Sequence, residues 1–276
     1  MPRSGPITMT FPPFAGTVRR LILANLAVFF GMYLLQWISP ASYLHLFQHL
    51  MLEPAAVVRG EVWQLLTYAF LQTGILDILF GMLTIWFTGS LLEGAYGSRW
   101  LSELYFASAV GGALLATLIS FTNLFGMRPD VAAIGAWAGI FGLLVAIGML
   151  FGEQEFLLWF VLRVKAKYMV TIYILVAVAI LLKDRNAFSA LLQLSGVFCG
   201  FLYVKFAPRR GFAFGFSERY FALRNNYYRW RRRRAARKFE VYMRKQNREV
   251  HFDKDGRYVD PDDHRHRNPK DKSWMN

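Results

Sequence analysis

Gly135-Ala136-Trp137-Ala138-Gly139-Ile140-Phe141-Gly142 opens an apolar run that continues without a charge to Phe151. Gly135 and Gly139 are four residues apart, so they fall on one face of a helix. In lipid, no hydrophobic force drives helices together, and small residues are what allow two backbones to approach closely. The run therefore reads as a membrane helix that packs tightly on a neighbour. The same spacing returns at Gly196 and Gly200, and the two runs are expected to cross there.

The rest of the chain agrees. Its 276 residues are 55% hydrophobic and 17% aromatic, with a mean hydropathy of +0.29. A soluble domain of this length buries a good core without repeated stretches of near-bilayer length, and a membrane helix needs about 20 mostly apolar residues. Six spans are predicted: Leu21–Ile38, Gly74–Leu92, Leu101–Phe121, Ile134–Phe151, Tyr168–Leu182 and Phe188–Phe206. A partly amphipathic segment, Ser39–Thr73, separates the first two and carries His45 and His49. The first run follows Arg19 and Arg20 and is long enough to span, so no cleavable signal peptide is expected. Cys199 is the sole cysteine, which excludes an internal disulfide.

Charge divides the chain. Residues 207–276 hold 20 Lys/Arg against 9 Asp/Glu, whereas residues 1–206 hold 12 against 9. The reading is an N-terminal segment (1–17), a membrane domain (18–206) and a basic tail (207–276). Arg3, Arg19 and Arg20 precede the first span, and Arg163, Lys165 and Lys167 lie between the fourth and fifth. With six spans these groups and the tail share one side, expected to be cytoplasmic. Arg59, Arg128, Lys183 and Arg185 fall on the other side, partly balanced by Glu53, Glu61, Asp130 and Asp184. The fold class is an all-α polytopic membrane protein with a basic cytoplasmic tail, and compact loops suit a bacterial inner membrane.

Four motifs in order carry a family resemblance. They are Pro54 followed by Gly60-Glu61-Val62-Trp63-Gln64-Leu65-Leu66-Thr67-Tyr68-Ala69-Phe70, then Leu92-Glu93-Gly94-Ala95-Tyr96-Gly97-Ser98, then the span-four run, then Gly196-Val197-Phe198-Cys199-Gly200-Phe201-Leu202-Tyr203. Over about Leu52–Lys205 this resembles the rhomboids, intramembrane serine proteases with a six-helix bundle. In the first motif the family has a Trp-Arg pair, and Gln64 replaces the arginine. The second is similar to the family's E-x-x-x-G-S turn.

The resemblance implies a G-x-S-G nucleophile in span four, a histidine base in span six, and supporting H-x-x-x-x-H-x-x-x-N residues around span two. A serine hydrolase needs the hydroxyl, its base and oxyanion donors. Trp137 stands at the serine and Gln193 at the histidine. Gln72, Asp77 and Gly81 stand at the supporting positions. Indole is no nucleophile and an amide does not titrate near neutral pH, so no catalytic residue is assigned. The remaining histidines, His251, His264 and His266, lie in the tail, and Ser195 reads as a packing hydroxyl. The substitutions form a set if the Trp137 indole fills the space left by Gly81. Asp77 is expensive in hydrocarbon: either it is wet near the outer face, or Gln193 or the Trp137 N–H partners it.

In the tail, Ser217 reads as the cap of a helix reaching about Arg248, with Arg231, Arg232, Arg233 and Arg234 at its centre and aromatic residues interleaved. Beside a bilayer such a segment favours anionic lipid headgroups over nucleic acid. Val250–Asp260 reads as a small hairpin around Asp253-Lys254-Asp255-Gly256, a calcium loop being the weaker reading. Residues from Pro261 on are expected to be disordered.

The leading expectation is a rhomboid-like protein without the Ser/His pair that holds or shields transmembrane segments of clients. The alternative is a membrane scaffold working through its tail, and a minor one is an active intramembrane endopeptidase. A transporter lacks support, since no inverted repeat is apparent. Membrane lipids and transmembrane clients are the expected partners, with no cofactor, no metal and no nucleic acid. The oligomeric state is not legible.

Overall fold

The computed structural model describes residues 12–72, 74–122, 128–158, 162–184, 187–207, 212–245, 250–252 and 258–259. They form two compact units, divided at Phe212 and Ala213. The first is an all-α bundle. Helix α1 (Gly16–Ile38) leads through α2 (Pro40–Leu50), α3 (Pro54–Val58), α4 (Gln64–Thr67) and a 3-10 turn (Tyr68–Phe70) to α5 (Ile75–Tyr96) and α6 (Ser98–Ser120). Helix α7 (Trp137–Leu150) is followed by a hairpin, β1 (Glu155–Leu158) and β2 (Leu162–Lys165), then α8 (Ala166–Lys183) and α9 (Phe188–Phe206).

Five helices, α1, α5, α6, α8 and α9, are long and apolar enough to cross a membrane, and α7 is a shorter apolar one. The chain is thus an all-α polytopic membrane protein. The predicted fourth span begins late: Gly135 adopts a φ of +112°, a conformation that ends the incoming loop, so the helix starts at Trp137. At 1.5 Å per residue, its 14 residues reach only about 21 Å, short of a roughly 30 Å hydrocarbon core. Burial compensates for that length. Every residue from Ala138 to Ile147 is buried, with α5, α6, α8 and α9 packed around it. Large apolar side chains face outward on the other helices instead, among them Phe30 and Leu34 of α1, Leu79 and Leu83 of α5, and Ile172 and Leu175 of α8.

The tightest packing is where the glycines meet. A Cβ built on Gly196 of α9 would lie 2.3 Å from the Ala138 carbonyl oxygen of α7, and one on Gly200 would lie 2.7 Å from the Gly142 Cα. Gly112 of α6 has the same relation to the Gly196 backbone nitrogen, at 2.8 Å. Gly139 accommodates the Tyr105 ring, 2.6 Å from where its Cβ would be. Gly135 is the exception among the expected packing glycines: its φ is positive and its nearest neighbour is Trp137, so it shapes the turn rather than the crossing.

The α5–α6 corner explains the Glu-x-x-x-Gly-Ser motif. Gly97 turns the chain with φ +88°, which places the Glu93 carboxylate over the N-terminus of α1. Thr17 N donates to Glu93 Oε1 at 2.8 Å and Val18 N to Oε2 at 3.1 Å, while Ser98 Oγ donates to Oε1. A carboxylate there satisfies orphan N–H groups and sits at the positive end of the helix dipole. Preceding residues add to the clasp: the Trp86 indole N–H donates to Pro12 O and Ser90 Oγ to Pro13 O, both at 3.1 Å.

Gln64 is buried and holds the loop between α2 and α4. Its Oε1 accepts from Glu53 N at 2.9 Å and its Nε2 donates to Glu61 Oε2 at 2.8 Å. Tyr68 Oη donates to Ala109 O at 2.8 Å, fixing the loop to α6.

The β1–β2 hairpin was not expected. Its register pairs Glu155 with Lys165 and Leu158 with Leu162. Lys165 and Lys167 both bond the exposed Glu153 carboxylate, and these hydrogen bonds pull its pKa from 4.5 down to about 2. A depressed carboxylate pKa means that this ion-pair contribution is full above about pH 4.5 and is lost as pH falls through about 2. Lys165 and Lys167 amide exchange is therefore expected to be flat from pH 7 to 5, after correction for intrinsic rates, and to rise only near pH 2. Glu153→Gln should abolish that late rise.

The second unit holds α10 (Phe212–Lys245) and a hairpin of β3 (His251–Phe252) and β4 (Tyr258–Val259). Helix α10 begins at Phe212, so Ser217 stands inside it and is not its cap. Arg231 to Arg234 are exposed, with the Arg234 guanidinium 5.4 Å from the Trp230 ring. Phe252 packs edge-on against Phe239 at 6.2 Å, tying the hairpin to the helix. The expected Asp-Gly turn, the calcium-loop reading and the tail from Pro261 lie outside the described residues.

Candidate functional site

The loop before α7 is built onto the segment after α2. Leu52 and Ala133 exchange both backbone hydrogen bonds, at 3.0 and 2.9 Å, Ala55 N donates to Pro129 O at 2.9 Å, and Gly135 N donates to Tyr68 O at 3.0 Å. This fixes where Trp137 enters. It is the first residue of α7, half-buried, and its indole N–H donates to Asp77 Oδ1 at 2.7 Å. Asp77 lies in the first turn of α5, where the helix dipole favours an anion. Of the two partners expected for Asp77, the structure selects the indole.

The indole does not fill the space at Gly81. A Cβ built there would meet Ile140 Cδ1 at 3.6 Å, so Ile140 covers the glycine. The physical reason is helical layering. Asp77 and Gly81 are one turn apart on α5, as Trp137 and Ile140 are on α7. The polar pair forms one layer and the glycine–isoleucine contact the next.

Beside this pair runs a groove of about 330 Å³, walled by Leu76, Asp77, Phe80 and Thr84 of α5, Trp137 and Leu144 of α7, and Tyr173 of α8. Leu76, Phe80 and Tyr173 are exposed, so the groove opens on the outer surface of the bundle. No serine, cysteine or histidine lines it among the described residues. Its chemistry is a largely apolar trough with one hydrogen-bonded carboxylate and the hydroxyls of Thr84 and Tyr173.

The other expected site residues lie apart from that groove. Gln72 is buried and turns toward α1, its Nε2 3.5 Å from Asn25 Oδ1. Gln193 is half-buried on α9. Ser195 is buried, with its backbone against Gly112. The His45 and His49 rings meet edge-on at 4.5 Å on α2, where His49 Nδ1 approaches Glu61 at 3.3 Å. Among the described residues, no three His, Cys, Asp or Glu side chains gather to hold a metal.

A family profile described as eukaryotic integral membrane protein (DUF1751) matches residues 22–232. RHOMBOID-like protein 4 of Arabidopsis thaliana is 32% identical over 152 residues, 55% of this chain and 36% of that protein. Rhomboid protease GluP of Bacillus subtilis is 30% identical over 97 residues, 35% of this chain and 18% of that protein. Rhomboid-like protein 19 of Arabidopsis thaliana is 26% identical over 168 residues, 59% and 54% of the two chains. The chain belongs to this family and is a rhomboid-type membrane protein. It spans between about a fifth and a half of the length of these three relatives. In this rhomboid-type chain, the bonded Asp77–Trp137 pair joins the first turns of α5 and α7.

The pair makes a measurable prediction. Trp137→Phe keeps the ring but leaves Asp77 unpaired, and is expected to destabilise the bundle by about 1–2 kcal/mol. Adding Asp77→Leu should recover most of that loss, with a coupling energy of about 1 kcal/mol in reversible unfolding in bicelles. Additive single effects would mean the pair carries no stability.

Proposed function

We propose that the protein binds transmembrane segments of other membrane proteins in the α5–α7–α8 groove and does not cleave them. The observation that carries this reading is the groove itself: it has exposed apolar side chains at Leu76 and Phe80 and contains the Trp137–Asp77 pair in its wall. A client helix with a small polar residue would find the second oxygen of Asp77 as an acceptor. Such intramembrane hydrogen bonds contribute about 1 kcal/mol each, enough to set register. The expected absence of hydrolysis rests on Trp137 and Gln193 at the nucleophile and base positions, and on a groove wall without serine, cysteine or histidine among the described residues, its Thr84 hydroxyl donating to Phe80 O at 2.7 Å.

Both termini are proposed to lie on the cytoplasmic face, following the distribution of Lys and Arg. The bacterial inner membrane suggested by the compact loops is one such setting, although the family description is eukaryotic and relatives come from plant and bacterium alike. A second reading, a scaffold that works through its tail, draws support from the exposed Arg231, Arg232, Arg233 and Arg234 on α10. Anionic headgroups attract such residues by about 1 kcal/mol each near the surface.

The test is in-membrane photocrosslinking from a probe amino acid at Phe80, on the groove rim, and at Leu175, exposed elsewhere on α8. Captured proteins enriched at Phe80 over Leu175, and retained when residues 213–276 are deleted, support groove binding. Equal capture at both positions, or capture lost with the tail, would support the scaffold instead.

A further inference from the structure

A second cavity, of about 200 Å³, lies between α1 and α2 and is separate from the client groove. Val28, Phe29 and Tyr33 of α1 form one wall and Tyr43 and Phe47 of α2 the other, with Gln36, Gln72 and the two tyrosines as its polar lining. No lining side chain carries a charge.

Gln72 stands in a directional relay. Asn25 Nδ2 donates to the Leu21 carbonyl at 2.9 Å, which turns Asn25 Oδ1 toward Gln72. Gln72 Nε2 points back at that oxygen, 3.5 Å away. The relay therefore ends on Gln72 Oε1, which is buried and accepts no hydrogen bond among the described residues. The residue is 8% exposed, and leaving an acceptor unmet at such a depth carries a desolvation cost that a donor would remove. The terminal amide torsion is soft, so rotation of the Gln72 amide is what would present Oε1 to a donor in the cavity.

We infer that this cavity takes the neutral hydroxyl end of a membrane amphiphile, with Gln72 Oε1 as its acceptor. A charged headgroup is disfavoured, because the lining offers neutral amides and phenols but no opposite charge. The volume suits a hydroxyl and its first ring or few carbons. The rest of the molecule would lie along the exposed apolar face of α1 at Phe30, Leu34 and Trp37. The chemistry is shared by sterols and diacylglycerols.

Full-length protein in phosphatidylcholine nanodiscs, carrying a photoactivatable sterol or diacylglycerol at trace level, tests this. Each probe is run beside its methyl ether, which cannot donate. Labelled peptides are expected from residues 28–47, with the hydroxyl probe exceeding its ether about five- to tenfold. Gln72→Leu should erase that preference, and Val28→Trp, which fills the cavity and leaves Gln72, should remove the labelling. Labelling by the sterol alone, the diacylglycerol alone or both names the source and supports the site. Labelling by neither, equal labelling by the ethers, or labelling that persists in both variants overturns it.

Discussion

Gly196→Ala is expected to destabilise the bundle by about 3 kcal/mol or more, although it adds one methyl group. The new Cβ would stand 2.3 Å from the Ala138 carbonyl oxygen and 2.9 Å from the Ala138 Cα. Both are backbone atoms of α7, so no rotamer change relieves the clash and the two helices must separate. Overpacking in ordinary cores costs about 1–3 kcal/mol, where side chains can give way. The matched control is Gly81→Ala, whose Cβ would make an ordinary 3.6 Å contact with Ile140. Alanine is the better helix former by about 1 kcal/mol, so this change is expected to be neutral or stabilising. Reversible unfolding of both variants in bicelles measures the contrast. Equal effects would mean that α7 and α9 do not cross at Gly196.

Glu93→Ala should cost a similar amount, about 3 kcal/mol, by a different route. Hydrogen bonds to a charged group contribute about 1.5–3 kcal/mol each, and Glu93 accepts two from the α1 backbone, at Thr17 N and Val18 N. Removing the carboxylate leaves those donors unmet and takes an anion from the positive end of α1. Glu93→Gln keeps one acceptor oxygen without the charge and should fall between the two. Hydrogen exchange resolves where the damage lies. Thr17 and Val18 amides are expected to lose protection in Glu93→Ala, while α7 and α9 amides change only as far as global stability falls. Unchanged protection at Thr17 and Val18 would contradict the capping role.

The membrane helices were legible because each is a nearly uncharged apolar run. Their ends were less so. Gly135 reads as a packing glycine until its positive φ is seen, and that conformation sets the start of α7. Asp77 was left either wet near the outer face or partnered by Gln193 or the Trp137 N–H, and the choice depends on the rotation of α7, which hydropathy does not encode. The same rotation decides that Ile140, and not Trp137, covers Gly81. Gln72 was grouped with Asp77 and Gly81 by spacing alone. Leu71 before it is extended, with φ −84° and ψ 134°, so Gln72 precedes α5 and its side chain turns to α1. The Glu93 motif was visible as a pattern, but its role as a cap on α1 joins residues 75 or more apart in sequence. The β1–β2 hairpin carried no alternation strong enough to stand out from the apolar stretches on either side.

The central claim is that the groove holds an intact transmembrane segment. The most direct measurement is the intact mass of the adducts crosslinked through Phe80, after prolonged incubation of the full chain with its captured partners in proteoliposomes. The expected result is a mass equal to this chain plus each full-length client, unchanged with time. Adducts that shorten with time to a fragment cut within the client's membrane segment would contradict it, and would mean that the groove cleaves what it binds.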